Sequence, residues 1–259
     1  VQKPRLSWKI NATETSILQI AYEIKVTEQP GKGKTIWNSG KINSGQSVNV
    51  EYGGPALQPM QRVYWQVRVW DNNAKASAWS QPAFWEMGLT DPTLWKASWI
   101  TMENETAMEG SKPAQFLRKD FSVTDKIKSA RVYVSALGLY ELYLNGKKVS
   151  NDLFTPGWTA YRHRIQYQSY DVTSMLKESA NTVGAMLGDG WYRGNIGFSR
   201  NRNYYGNKLA LIAQIHIVYS NGKEEWVVTD NSWKATTGPI LASDIYNGET
   251  YDARKEIRL

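Results

Sequence analysis

The side chains that could do chemistry cluster in the second half of this 259-residue chain. Asp189, Asp230, Asp244, Glu249 and Asp252 supply carboxyl groups in number, and acid–base work needs two of them at a controlled separation. Asp189 lies between Gly188 and Gly190, and Asp230 stands in Thr229-Asp230-Asn231. Both settings suit turns and caps as well as catalysis. His163 and His216 are the only histidines, too few and too scattered for a His-based metal site. There is no cysteine, so thiol nucleophiles, disulfides and thiolate metal sites are excluded. No serine sits in a nucleophile elbow. Asn151-Asp152 offers adjacent oxygen donors, and Asn201, Asn203 and Asn207 offer more along one stretch. Trp158, Trp191, Tyr192, Tyr204 and Tyr205 are flat faces with polar edges. Arg193 has two candidate partners, Asp189 and Asp152.

The elements that must position these groups are strands. Tyr22, Ile24 and Val26 alternate on one face, as do Val63, Trp65, Val67 and Val69, with Tyr64, Gln66, Arg68 and Trp70 on the other. Pro30-Gly31 reads as a turn, and Asn145-Gly146 and Asn221-Gly222 read as tight hairpins. Asp91-Pro92 predicts a cap and first residue of a single helical turn. Asp171 or Thr173 is expected to cap one short helix. No long amphipathic helix is found. The expectation is an all-β chain of two sandwiches in tandem: residues 1–88, a linker at 89–101, and a jelly-roll-like second unit at 102–259.

Bulk composition narrows the classes. Hydrophobic content is 41% and no apolar run approaches the ~20 residues of a spanning helix. The first residues lack the layout of a signal peptide. The net charge is +7, but the basic residues are dispersed, and Arg162, His163 and Arg164 come with no nucleic-acid motif. Twelve Trp and fifteen Tyr against five Phe favour amphipathic aromatic surfaces, which suit sugar faces as well as sandwich cores.

Residues 1–88 resemble a fibronectin type III domain through Pro4-Arg5-Leu6-Ser7-Trp8, Tyr22-Glu23-Ile24, the run Tyr64 to Asp71, and Ser77-Ala78-Trp79-Ser80. The second half resembles the N-terminal region of bacterial α-L-rhamnosidases. The matching stretches are Ser135 to Gly146, Phe154-Thr155-Pro156-Gly157-Trp158-Thr159, Tyr167 to Thr173, Leu187 to Gly194, and Gly248 to Arg254. In that family such modules precede a helical barrel that hydrolyses terminal α-L-rhamnose and carries the catalytic carboxylates. The resemblance therefore implies a non-catalytic accessory part of a glycosidase, with a C-terminal catalytic domain and a rhamnose-containing carbohydrate as partners. It also implies a secreted or periplasmic setting.

Glycoside hydrolysis takes two carboxyl groups about 6.5–9.5 Å apart for inversion or about 5–5.5 Å for retention, and sequence gives no separations. Some family members carry a calcium-dependent rhamnose-binding module in the equivalent region. Calcium takes six to eight oxygen ligands. The candidate set for it is Asn151, Asp152, Asn201 and Asn203, with Trp158, Tyr204, Tyr205 and Asn203 facing the sugar. The loop Ser199–Asn207 is expected to be exposed and mobile. Two alternatives stay open: a free-standing calcium-dependent rhamnose-binding module, and a structural spacer.

Overall fold

The computed structural model describes residues 3–103, 110–197 and 201–256. Its contacts divide the chain into two units, Val1–Leu94 and Trp95–Leu259.

The first unit contains β1 (Arg5–Leu6), β2 (Gln19–Gln29), β3 (Lys32–Asn38), β4 (Val50–Glu51), β5 (Arg62–Asp71) and β6 (Ala83–Glu86). A four-stranded sheet runs β3-β2-β5-β6, and β1 pairs with β4. The alternation read in β2 and β5 sends Ile24, Val26 and Val63 fully inside, with Tyr22 and Val67 beside them. Pro30 and the left-handed Gly31 turn β2 into β3, as a type II turn requires. The serines of Ser77-Ala78-Trp79-Ser80 imitate a strand edge. Ser77 and Ser80 donate their N–H groups to Val69 and Val67, and their hydroxyls accept from the same two residues. Trp79 is thereby laid on Arg68, whose other side faces Trp70, with Lys25 and Lys41 at the two ends.

The second unit contains β7 (Gln115–Ser122), β8 (Ile127–Leu137), β9 (Leu139–Leu144), β10 (Lys147–Lys148), β11 (Gln168–Asp171), β12 (Ala180–Gly188), α1 (Gly190–Arg193), β13 (Ala210–Tyr219), β14 (Glu224–Val228), β15 (Lys234–Thr237), β16 (Ile240–Asp244) and β17 (Gly248–Tyr251). One sheet is ordered β10-β9-β12-β7-β15 and the other β11-β8-β13-β14, all antiparallel, with β16–β17 a separate pair. Between the two larger sheets lies a core that includes Val132, Val134, Leu144, Leu187, Leu211 and Ile217. The chain passes from one sheet to the other between β8 and β9 through Gly138 alone. Its φ is +118°, and a Cβ there would stand 2.6 Å from the Gly188 carbonyl oxygen, so only glycine makes that step.

Asn145 and Gly146 have φ of +52° and +76°, the paired left-handed turn expected of Asn-Gly. Asp91 accepts from Thr93 N–H ahead of a 3-10 turn at Pro92–Leu94. The short helix expected after Asp171 is one 3-10 turn, Thr173–Met175. Asp171 holds it by accepting from Thr173 N–H and Oγ1. The stretch 89–101 does not behave as a linker throughout. Residues 95–101 are held by the second unit: Ser98 N–H donates to the Thr229 carbonyl, Ile100 bridges to Leu211, and Trp95 meets Tyr167 edge-on.

Candidate functional site

The glycine-flanked acid at the end of β12 enters a one-turn helix, α1, for which the sequence carries no periodic signal. Gly190 is left-handed (φ +54°), and a Cβ there would meet Leu139 Cγ at 2.6 Å. Gly188 is not left-handed; a Cβ there would crowd Ser243 Oγ at 3.0 Å. So the two glycines serve different needs, one conformational and one of close approach.

Asp189 is driven inward by this geometry and meets its counter-charges there. Arg193 Nε donates to Asp189 Oδ1 at 2.6 Å, the i,i+4 pairing that the sequence offers, and both side chains are 1% exposed. Arg202 Nη2 and Ser111 Oγ donate to the other oxygen at 2.6 and 3.0 Å. Arg202 also reaches Asp244 Oδ2 with Nη1 at 3.1 Å. That oxygen takes two further bonds from Asn195, while Tyr246 and Asn247 N–H groups fill Oδ1. Burial opposes ionisation of Asp244, but the backbone donors Asn195, Tyr246 and Asn247 outweigh it and hold its carboxyl below the usual value. Asp189 and Asp244 are thus a charge-matched brace in which each carboxylate oxygen already has a donor. Asp230 is taken by Lys119 and Ser232, and Asp252 by Arg254. These groups are committed to structural partners rather than poised over a substrate.

An aromatic surface is built on the same corner. Trp158 lies parallel to Trp191, centroids 5.7 Å apart and planes 8° apart, and Phe154 leans on the same indole at 5.8 Å. Trp158 Nε1 donates to Tyr205 Oη at 3.3 Å, and Tyr205 crosses Tyr204 at 4.8 Å. Beneath them the buried Tyr161 contacts Tyr192 and Tyr205; burial and then the neighbouring Tyr205 push its hydroxyl up to about 12. Arg162 caps Tyr204 and donates to its carbonyl. Phe154, Trp158 and Tyr204 remain about half exposed. Phe154 holds φ +57°, an uncommon conformation for a bulky side chain.

Of the residues expected from sequence to face a sugar, Trp158, Tyr204 and Tyr205 are brought together, and Asn203 stands on their loop in a left-handed conformation (φ +59°). Phe154 and Arg162 border the same surface and Tyr161 lies buried beneath it; the sequence signal for them is their nearness to Trp158. Ser199 and Arg200 lie outside the described residues. The rest of that loop is tied down more than its composition predicts: Asn203 N–H donates to the Arg193 carbonyl, Tyr205 N–H to the Tyr192 carbonyl, and Arg202 is spent on the buried acids.

The expected calcium ligands are not gathered by any described contact. Asn151 and Asp152 are exposed, and Asp152 Oδ2 accepts from Tyr170 Oη on β11 at 2.8 Å. Asn201 bridges to Ile196 beside α1. This donor set contains one formal charge, Asp152, and ligand charge count tunes calcium affinity.

Fold and site together define a tandem β-sandwich protein whose buried carboxylates brace a corner on which half-exposed aromatics pack together. The chain belongs to the α-L-rhamnosidase N-terminal domain family, whose model matches residues 125–258. Residues 1–91 match the Rha78A-like N-terminal immunoglobulin domain, a sandwich of the kind read from sequence as fibronectin-like. An α-L-rhamnosidase of Formosa agariphila is 37% identical, aligned over 98% of this chain and 29% of its own length. The crystal structure of α-L-rhamnosidase from Aspergillus terreus superposes with a TM-score of 0.90 at 36% identity, over 98% of this chain and 29% of that one. An α-L-rhamnosidase of Streptomyces avermitilis, crystallised with L-rhamnose, gives 0.89 at 26% identity, over 99% of this chain and 41% of that one. The chain thus spans about a third of the length of these relatives. Among the described residues no helix is long and apolar enough to cross a membrane.

Proposed function

We propose that this chain is the non-catalytic N-terminal portion of a rhamnosidase-like glycoside hydrolase. Its sandwiches support a catalytic domain, and the surface of Phe154, Trp158, Trp191 and Tyr204 contributes to recognition of a rhamnose-containing carbohydrate. The observation that carries this is the match of both units, in order, to about a third of each relative. The committed state of Asp189, Asp230, Asp244 and Asp252 supports a non-catalytic role. A secreted or periplasmic location is part of the proposal, and fractionation of the source cells tests it.

The chain alone is expected to release no product from an aryl α-L-rhamnoside under conditions where the full-length protein turns over. Turnover by the chain, abolished on replacing one of its acids, overturns the reading. Recognition is tested by titrating L-rhamnose into the chain by calorimetry, with calcium and then with chelator. Binding that weakens several-fold in Trp158→Ala under both conditions supports a stacking surface. Binding abolished by chelator and by Asp152→Ala points to a metal bridge instead, and no heat in either condition removes sugar recognition from the proposal.

A further inference from the structure

The outward face of the five-stranded sheet carries a groove of about 710 Å³, lined by none of the residues of the aromatic corner. The register explains its shape. Tyr143, Gly184, Arg118 and Lys234 form one row across β9, β12, β7 and β15, and Met186, Phe116 and Thr236 follow in the next. Gly184 sits mid-strand with no left-handed φ, and a Cβ there would make only an ordinary contact, 3.4 Å from the Leu117 carbonyl oxygen. The backbone does not demand glycine at this position. Glycine inside a strand weakens it, and it marks places where a ligand or another backbone comes close. Here it hollows the middle of the sheet between Tyr143 and Arg118.

What fills the hollow is constrained by charge and by chain path. Arg118 is paired with Asp120, and Glu256 accepts from Tyr251. Lys234 and Glu256 then bring one charge of each sign to the walls, so an ionic ligand finds no net charge there. Along one side runs β15, the edge of its sheet among the described residues, with all four of its residues exposed. An open edge of this kind is a template for another strand. Glu256, the last described residue, itself lines the groove.

We infer that the groove seats polypeptide lying C-terminal to this region in the full-length protein, an extended segment crossing Gly184 and flanking β15. This rests on the reading of the chain as part of a longer hydrolase.

The test compares the 259-residue chain with the full-length protein. Hydrogen–deuterium exchange of the β15 and Gly184 amides is expected to slow at least tenfold in the full-length protein. Met186→Cys gives the chain a unique thiol, expected to react with a maleimide at least tenfold slower in the full-length context. Thr236→Cys serves the same purpose if the first variant does not fold. Equal exchange and equal labelling in both proteins overturn the inference. So does protection of the chain alone on adding a rhamno-oligosaccharide, or on raising its own concentration, because the occupant would then be a glycan or a second copy. Rhamnosidase turnover of the full-length protein is read separately, so failure of the functional reading is distinguishable from failure of this one.

Discussion

The buried Arg193, the partly buried Arg202 and two buried aspartates decide whether the corner after β12 exists. Removing one member of a buried ion network leaves an uncompensated charge, at a cost of about 3–5 kcal/mol. Arg193→Met is expected to destabilise the second unit by that amount, read as a lowered denaturant midpoint. The network also sets an acid limit. The Asp244 carboxyl is held below its ordinary value, so its contribution is fully present above the unfolded pKa of about 3.9 and is lost as pH falls through the lower, folded value. The melting temperature of the second unit should therefore drop as pH falls below about 4, with a shallower slope in Asp244→Asn. Sequence spacing displays half of this site. Asp189 and Arg193 are four apart, which suffices to suggest their pairing. Arg202 lies 13 residues from Asp189 and 42 from Asp244, and its role depends on a fold that local spacing does not encode.

At the scale of elements, turns are the most legible feature because their chemistry is local. Asn145-Gly146 joins β9 to β10 in the predicted conformation, and Asn145 adds bonds to the Met175 carbonyl, Asn181 and Thr182. A Cβ added at Gly146 would meet nothing within 4 Å, so replacing this glycine tests φ strain without a clash. Gly146→Ala is expected to cost about 1–2 kcal/mol, measured by chemical denaturation. Gly138→Ala, which meets the Gly188 carbonyl oxygen, is expected to prevent native packing, seen as lost near-ultraviolet dichroism. In the first unit, Trp79 carries two cation–π contacts of about 0.5–1 kcal/mol each, so Trp79→Ala should lower stability by about 1–2 kcal/mol. The alternating strands β2 and β5 are legible from period alone. The helix α1 is not: four residues give no helical period, and the buried Asp189–Arg193 pair that spans the turn is a tertiary feature. Of the aromatic surface, Trp158, Tyr204 and Tyr205 are visible in the sequence because Trp and Tyr stand there in turn-rich stretches. Tyr161 and Phe154 escape because their contacts come from segments 31 to 44 residues away.

For the molecule as a whole, the separation into two cores has a sharp experimental edge at residues 95–101. The buried cluster around Ile24 and Val63 and the one around Val132 and Leu211 share no residue, and a unit with its own core is able to fold alone. Aromatic density makes 89–101 look like one linker, yet periodicity is silent about which side such a segment joins. The contacts of Trp95, Ser98 and Ile100 assign residues 95–101 to the second unit, with Lys96 lying over Trp226 as well. A fragment beginning at Trp95 is therefore expected to fold with the stability of the second unit in the whole chain. A fragment beginning at Met102 loses the paired backbone bonds of Ile100 with Leu211, the Ser98 bond to Thr229, the burial of Ile100, and the edge contact of Trp95 with Tyr167. At about 1 kcal/mol for each hydrogen bond and about 0.5–1.5 for the ring pair, the shorter fragment should be weaker by roughly 3–5 kcal/mol. Urea unfolding of the two fragments decides the point: equal midpoints would return residues 95–101 to the role of a linker, and a lower midpoint for the shorter one makes them a working part of the second sandwich.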